Sequence, residues 1–257
     1  FGGFEDFRGG GHFSGRLTVA LVAAGVVAKK LLSFTDNRSI PGSDLAASKK
    51  PSALASQQSG RIDGGPISPK IQVSATILEI GGEADLDKGL QKAIDAKDSI
   101  GGIVECRVAG LPAGLGEPFF DSAESLISHA VFAIPAVRGI EFGTGFQAAK
   151  MFGSAHNDSI ENMEGKTVTN HAGGIVGGIT NGNELVFRIA IKPTSSTPKE
   201  QQTLNRETGA VEPFSVKGRH DLCIALRVPV VLEAVTAITL ADLLMLEQFL
   251  PRVIDRP

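Results

Sequence analysis

The 257-residue chain contains no tryptophan and no tyrosine, and 14 phenylalanines are its whole aromatic complement. That poverty argues against an extended base-stacking surface for single-stranded nucleic acid. Cysteine is almost as scarce. Cys106 and Cys223 alone cannot build a disulfide framework or a cysteine-rich zinc site. Cys106 lies in the alternating run "GGIVECRVAG", where it reads as a half-buried strand thiol. Neither sign of charge is in excess. With a net charge of −3, nothing pulls the whole chain toward nucleic acid or anionic membrane, so any phosphate binding has to be local. A long hydrophobic run is also missing, because the most apolar stretch, "LTVALVAAGVVA" (17–28), is too short to span a bilayer. It has the length of a signal-peptide core, but Lys29 and Lys30 run on into further apolar residues. It reads instead as a buried helix with cations at its C-terminal end. No Walker loop, zinc-binding helix, calcium loop or nucleophile elbow occurs, since "GHFSG" sets its serine one position too late. The sequons "NRS" (37–39) and "NDS" (157–159) carry little weight without evidence of secretion.

What is abundant is glycine, 31 residues in short clusters, within a chain of 42% hydrophobic residues that can bury a sizeable core. A first helix is expected over about 16–32. Residues 34–70, rich in Ser, Pro, Gly and Lys, read as a long mobile loop. "IQVSATILEI" (71–80) alternates as a strand, followed by a helix with Leu86, Leu90, Ala93 and Ile94 on one face. A strand over 102–111 leads through the turn-rich "PAGLGEPFF" to a helix. Asp121 is expected to cap that helix, with Glu124 as its capping-box partner. Its stripe is Leu126, Ile127, Ala130, Val131 and Ile134, which leaves His129 toward solvent. A strand near 137–142, a glycine-rich stretch (173–182), a strand at 184–193, a hairpin around "ETGAVEP" and an amphipathic helix over about 230–250 complete the chain. This irregular alternation indicates an α+β or layered sandwich fold rather than a doubly wound parallel sheet.

"GTGFQA" (143–148) fits the loose dinucleotide pattern, yet the helix after it would break almost at once at Met151–Gly153. A recurring chemistry is more informative: glycine or proline turns set beside cations and hydroxyls. "RGGGHFSGR" supplies Arg8, Ser14 and Arg16; "NHAGGIVGGITNG" (170–182) offers backbone amides; "KPTSS" (192–196) adds Lys192 and three hydroxyls; "GRHD" (218–221) adds Arg219, His220 and Asp221. Glycine loops present N–H groups to anions, and lysine and arginine add charge. Any one of these is an ordinary surface turn, but four together indicate a polyanionic ligand.

The segments "RGGGHFSGRLTVALVAAGVVAKKLL", "DSIGGIVECRVAGLPAGLGEPFFD", "AIPAVRGIEFGTGF", "GSAHND", "TNHAGGIVGGITNG", "IKPTSS" and "GRHDLCIALRVPVVLEA" occur in the order seen in chorismate synthases. The sequence resembles that family nearly throughout, except over 34–70. The resemblance implies a β-α-β sandwich assembled as a homotetramer. It implies a lyase of the shikimate pathway that eliminates phosphate from 5-enolpyruvylshikimate 3-phosphate in a 1,4-anti sense, using reduced FMN without net redox change. Carried over motif by motif, it places His12, Phe13 and Ser14 against FMN. Pro135, Ala136 and Gly177 would meet the flavin. Lys192, Pro193, Thr194, Ser195 and Ser196 would hold its phosphate end, Arg219 would add a cation, and Asp221 would manage a proton beside the ring.

The family's "GESHG"-type and "RPSHAD"-type segments, each with a histidine thought to donate a proton, do not occur in these 257 residues. His156 and His171 belong to other motifs and do not replace them. Arginines for substrate and for a nicotinamide phosphate (NADP) belong to the same missing part. The chain is therefore expected to be the C-terminal two-thirds of such an enzyme, binding FMN weakly and turning over negligibly by itself. A competing reading is a non-catalytic flavin- or phosphate-binding or assembly module on the same scaffold. An upstream frame encoding the two histidine segments would decide between them. A nicotinamide dehydrogenase built on "GTGFQA" is a third and weaker reading. No metal, nucleic-acid or membrane partner is expected, and the location is cytoplasmic, or plastid in a plant-type source.

Overall fold

The computed structural model describes residues 14–33, 71–216, 218 and 221–250. Its main sheet has four strands in the order β1 (Gln72–Ile80), β2 (Gly102–Ala109), β6 (Leu185–Ile191) and β3 (Val137–Phe142), every neighbouring pair antiparallel. An antiparallel sheet fits the α+β expectation and removes the parallel βαβ unit that a dinucleotide fingerprint needs. After β3, "GTGFQAAK" forms only a 3-10 turn at Gly145–Lys150, so no helix N-terminus is available there to receive a pyrophosphate.

Strand alternation decides the two faces. Val104, Cys106 and Val108 of β2, with Leu185, Phe187, Ile189 and Ile191 of β6, point into the core and are all buried. Cys106 is therefore wholly buried rather than half-buried, and burial pushes its thiol up to about 12. On the outer face, Thr76, Glu105, Arg188 and Glu141 stand opposite one another across the four strands. Arg188 donates to Glu105 at 3.0 Å and to Glu141 at 3.0 Å, and Arg107 joins Glu105 at 2.7 Å to Glu184 at 2.8 Å. This ladder covers Glu105, which is buried despite facing outward.

Three helices lie on the inner face. The central one is α5 (Val228–Leu246), flanked by α1 (Thr18–Leu32) and α3 (Ala123–Val131). The expected amphipathic C-terminal helix is instead apolar nearly all round. Eleven of its residues, from Val228 to Leu244, are buried, and Pro229 sits in its first turn, where a missing N–H costs nothing. The Ile224–Leu246 segment has the length and hydropathy to cross a bilayer, yet it is the core helix of this fold and mostly buried. Conversely, α1 buries only Gly25, Ala28 and Leu32, leaving Val19 71% and Val27 59% exposed. The expected buried helix is thus half true, because only one side of α1 meets α5. Its tight approach is set by Gly25, where a Cβ would fall 2.4 Å from the Ala234 Cβ.

Two other expectations shift. Ser122, not Asp121, caps α3, its hydroxyl accepting from the Ser125 N–H at 3.1 Å, while Asp121 closes the 3-10 turn Phe119–Asp121. In α2 (Leu86–Ala96) the buried line runs through Gly89 and Ala93 with Leu86 and Leu90 beside it, and Ile94 is 52% exposed. A four-residue helix, α4 (Gly153–His156), precedes "ND". The glycine-rich stretch makes the two-residue strands β4 (Ile175–Val176) and β5 (Ile179–Thr180). The expected hairpin pairs β7 (Gln201–Leu204) with β8 (Val211–Phe214). The described residues thus make one four-stranded sheet, two two-stranded ribbons and one helix layer. The second sheet of a β-α-β sandwich is not among them.

Candidate functional site

Helix direction decides which end of this two-layer body can receive an anion. At one end of the sheet lie Ile80, Gly102, Val137 and Ile191, which pair as strand termini. α5 begins at that end, because Ala225 just before it packs against Gly102 and the Ile100 N–H donates to the Leu222 carbonyl at 2.9 Å. α1 runs the same way. Gly25 meets Ala234, Lys29 pairs with Glu233 at 2.5 Å, and Leu32 reaches Ile71 and Gln72 at the far end. Two helices of 15 and 19 residues therefore turn their N-termini, each worth about half a positive charge, toward the same edge of the sheet.

Most of the described sequence candidates gather at that edge. Ser14 stands just ahead of α1, its hydroxyl oxygen accepting from the Arg16 N–H at 3.3 Å. Pro135 and Ala136 lead into β3, and the Lys192 N–H donates to the Ala136 carbonyl at 2.9 Å, joining these two motifs directly. Ala136 has a φ of +73°, a left-handed conformation that costs a non-glycine residue on the order of 1 kcal/mol. Held strain of this kind is found at ligand sites more than elsewhere. Lys192, Pro193 and Ser195 are exposed, while Thr194 and Ser196 are half-buried. The Thr194 hydroxyl is buried and has no hydrogen-bond partner among the described residues, an unspent donor and acceptor in the same loop as the exposed Lys192. Asp221 lies at the same edge through its neighbour Leu222; its carboxylate is solvent-exposed and accepts from Arg227 at 2.7 Å.

The other expected site residues fall elsewhere. His12, Phe13 and Arg219 lie outside the described residues. Gly177 is at the exposed tip of the β4–β5 turn, with a φ of +64° and open space around it. That turn abuts the N-terminus of α3, where the Ala123 N–H donates to Gly178. It is at the opposite end of the sheet, roughly 20 Å away along the seven residues of β6. The amides expected to be exposed in "AGGIVGG" are not so at Gly173, Gly174 and Gly178. A Cβ on any of them would lie within about 2.4–2.7 Å of neighbouring backbone, so these glycines serve close packing. Nearby, His171 is hydrogen-bonded to Thr144 at 2.8 Å and its ring lies 5.6 Å from that of His156. These histidines belong to that far-end network.

Sequence reasoning missed the residues behind the Lys192–Ser196 loop. Lys97, left-handed at φ +51°, ends α2 and puts Asp98 beside the loop. Asp98 Oδ1 accepts the Thr197 hydroxyl at 2.8 Å and the Ser99 N–H at 2.8 Å, and Oδ2 faces Lys199 at 3.5 Å. The Thr197 hydroxyl, the Ser99 N–H and the Lys199 cation together hold the Asp98 carboxyl below the ordinary aspartate range. The Ser99 hydroxyl donates to the Thr194 carbonyl at 2.6 Å. The signal was present as "DS" ahead of "IGGIVE", polar residues between a helix end and a strand start, but nothing in the spacing ties them to residue 194.

Fold and site together define an α+β protein whose α1 and α5 N-termini face one edge of an antiparallel sheet. Comparison with known proteins makes this specific. The family described as chorismate synthase matches residues 1–245. A chorismate synthase of Chitinophaga pinensis is 61% identical over 253 residues, 98% of this chain and 66% of that protein. One from Dehalococcoides mccartyi is 42% identical over 263 residues, 100% of this chain and 69% of that protein. A solved chorismate synthase crystal structure shares the fold, with a TM-score of 0.63 at 24% identity over 90% of this chain and 64% of that one. The chain belongs to the chorismate synthase family. It spans about two thirds of the length of these relatives.

Proposed function

We propose that this chain supplies the flavin-phosphate wall of a lyase that converts 5-enolpyruvylshikimate 3-phosphate to chorismate with reduced FMN. The observation that carries the reading is the Lys192–Ser196 loop, with its buried unpartnered Thr194 hydroxyl, at the edge toward which α1 and α5 turn their N-termini. Those groups fit a phosphate: an exposed cation, hydroxyl donors and two helix dipoles would act together on a dianion. Lys192, Thr194, Ser195 and Ser196 would take the phosphate of FMN, with Pro193 fixing the turn between them. Pro135, Ala136 and Ser14 would border the ring, joined by His12, Phe13 and Arg219 from outside the described residues. Gly177 would meet flavin only from a position about a sheet length away. Bound reduced FMN supplies an electron-rich ring beside the substrate.

In the elimination a ring C–H bond and the C–O bond to phosphate break, so the protein has to take up a proton and stabilise an anionic leaving group. Asp221, exposed and tethered by Arg227, would accept or relay that proton at a carboxylate oxygen. Cations at the same edge would stabilise the charge that gathers on the departing phosphate. The exposed apolar side of α1 and the groove lined by Val27, Leu31, Leu126, Ile238 and Leu243 would be covered by the second sheet of the sandwich. Residues 1–257 would form one partial domain; the divergent segment 34–70 lies outside the described residues. The whole protein would be a homotetramer of the cytoplasm, its flavin reduced by an NADP-type donor through groups outside these residues. Bacterial and archaeal relatives favour that location over a plastid.

The test is chorismate formation by the purified 257-residue chain with reduced FMN. Because general acids contribute about 10²–10⁴-fold each, absence of both histidine segments predicts turnover at least several orders of magnitude below that of an intact relative. Turnover near that of an intact relative would overturn this assignment of roles.

A further inference from the structure

We propose that Asp98 and Ser99 are positioning residues that hold the Lys192–Thr197 loop in its phosphate-receiving form; this rests on the loop reading above. The loop is fastened at three points, and Asp98 and Ser99 make two of them. Its start is tied where the Lys192 N–H meets the Ala136 carbonyl at 2.9 Å. Its middle is tied where the Ser99 hydroxyl donates to the Thr194 carbonyl at 2.6 Å. Its end is tied where the Thr197 hydroxyl donates to Asp98 at 2.8 Å, with Thr197 itself buried. The Ser99 N–H donates to the same Asp98 oxygen, so the two holding residues also fix each other. Behind them there is no slack. A Cβ on Gly101 would fall 2.3 Å from the Ile191 carbonyl oxygen and 3.2 Å from the Pro193 ring, so the 98–101 segment is pressed against the root of the loop.

The consequence lies in what the ties leave free. They engage the Thr194 carbonyl and the Thr197 hydroxyl, so no tie uses the Thr194 hydroxyl or the exposed Lys192 side chain. A loop already fixed this way does not lose its conformational entropy when phosphate arrives. Asp98 and Ser99 touch no ligand in this arrangement. Their effect should therefore appear in phosphate recognition and not in flavin-ring binding.

The experiment is a pair of fluorescence titrations, with FMN and with riboflavin, which carries the same ring without the phosphate. They are run on the wild-type chain, Asp98→Asn, Asp98→Glu and Ser99→Ala. The expected result is that FMN affinity falls about tenfold in Asp98→Asn and several-fold in Ser99→Ala. Riboflavin affinity should stay unchanged, and Asp98→Glu should recover part of the loss. Equal losses for FMN and riboflavin would show a merely structural role and overturn the proposal, as would unchanged FMN binding in the folded variants. A wild-type chain that binds FMN no better than riboflavin would instead sink the phosphate-loop reading itself.

Discussion

Asp98 holds the end of the Lys192–Thr197 loop, and its behaviour with pH follows from its contacts. Thr197, Ser99 and Lys199 all favour its charged form, so its folded-state pKa lies below that of the unfolded chain. A group depressed in this way contributes its stabilisation fully above the unfolded value of about 3.9, and loses it as pH falls through the folded one. The preference for FMN over riboflavin should therefore be flat from neutral pH to about pH 5 and decline below about pH 4. In Asp98→Asn the same profile should lack that step, once the separate titration of FMN phosphate has been subtracted with a free-phosphate control. A variant that keeps the step would assign it to another carboxylate. Ala136 and Lys97 show why such residues escape a reading of sequence. Both stand at left-handed φ where glycine would be expected, so their residue types conceal the turns they make.

Among the elements, the α1–α5 pair carries the geometry, because it points both N-termini at the candidate site. The closest point is Gly25 against Ala234, where an added Cβ would lie 2.6 Å from the Ala234 Cα, a backbone atom that cannot swing aside. Gly25→Leu should force the helices apart and destabilise the chain by about 1–3 kcal/mol. Thermal unfolding should show it as about 2–4 °C per kcal/mol for a chain of this size. An unchanged melting temperature would mean that the helices are not in contact there. The strands were legible because β1, β2 and β6 alternate or run apolar between turns; β3 matches its expected span, residue for residue. Helix burial was less legible. Hydropathy made α1 look buried and α5 amphipathic, whereas packing reversed the emphasis. Which face of an apolar helix is covered depends on partners that periodicity does not name.

For the whole molecule, the four anion-binding motifs seen in the sequence divide once folded. "KPTSS" stands with "IPAV" and Asp221 at the sheet edge toward which α1 and α5 turn their N-termini, while the glycines of "AGGIVGG" pack at the far end of the sheet. Local composition could not separate these cases. A glycine that admits a phosphate and a glycine that admits another strand read alike, and only topology tells which end each occupies. The resemblance named the family to which the chain belongs, but the support from residues 98 and 99 comes through contacts spanning about a hundred positions. The most direct test of the account is amide chemical-shift mapping of the isotope-labelled chain during titration with FMN. The largest shifts are expected at Ala136, Lys192, Thr194–Thr197, Ser99 and Leu222, with riboflavin sparing the 192–197 group. Shifts concentrated instead around Gly173–Gly182, or an undisturbed 192–197 loop at saturating FMN, would contradict it.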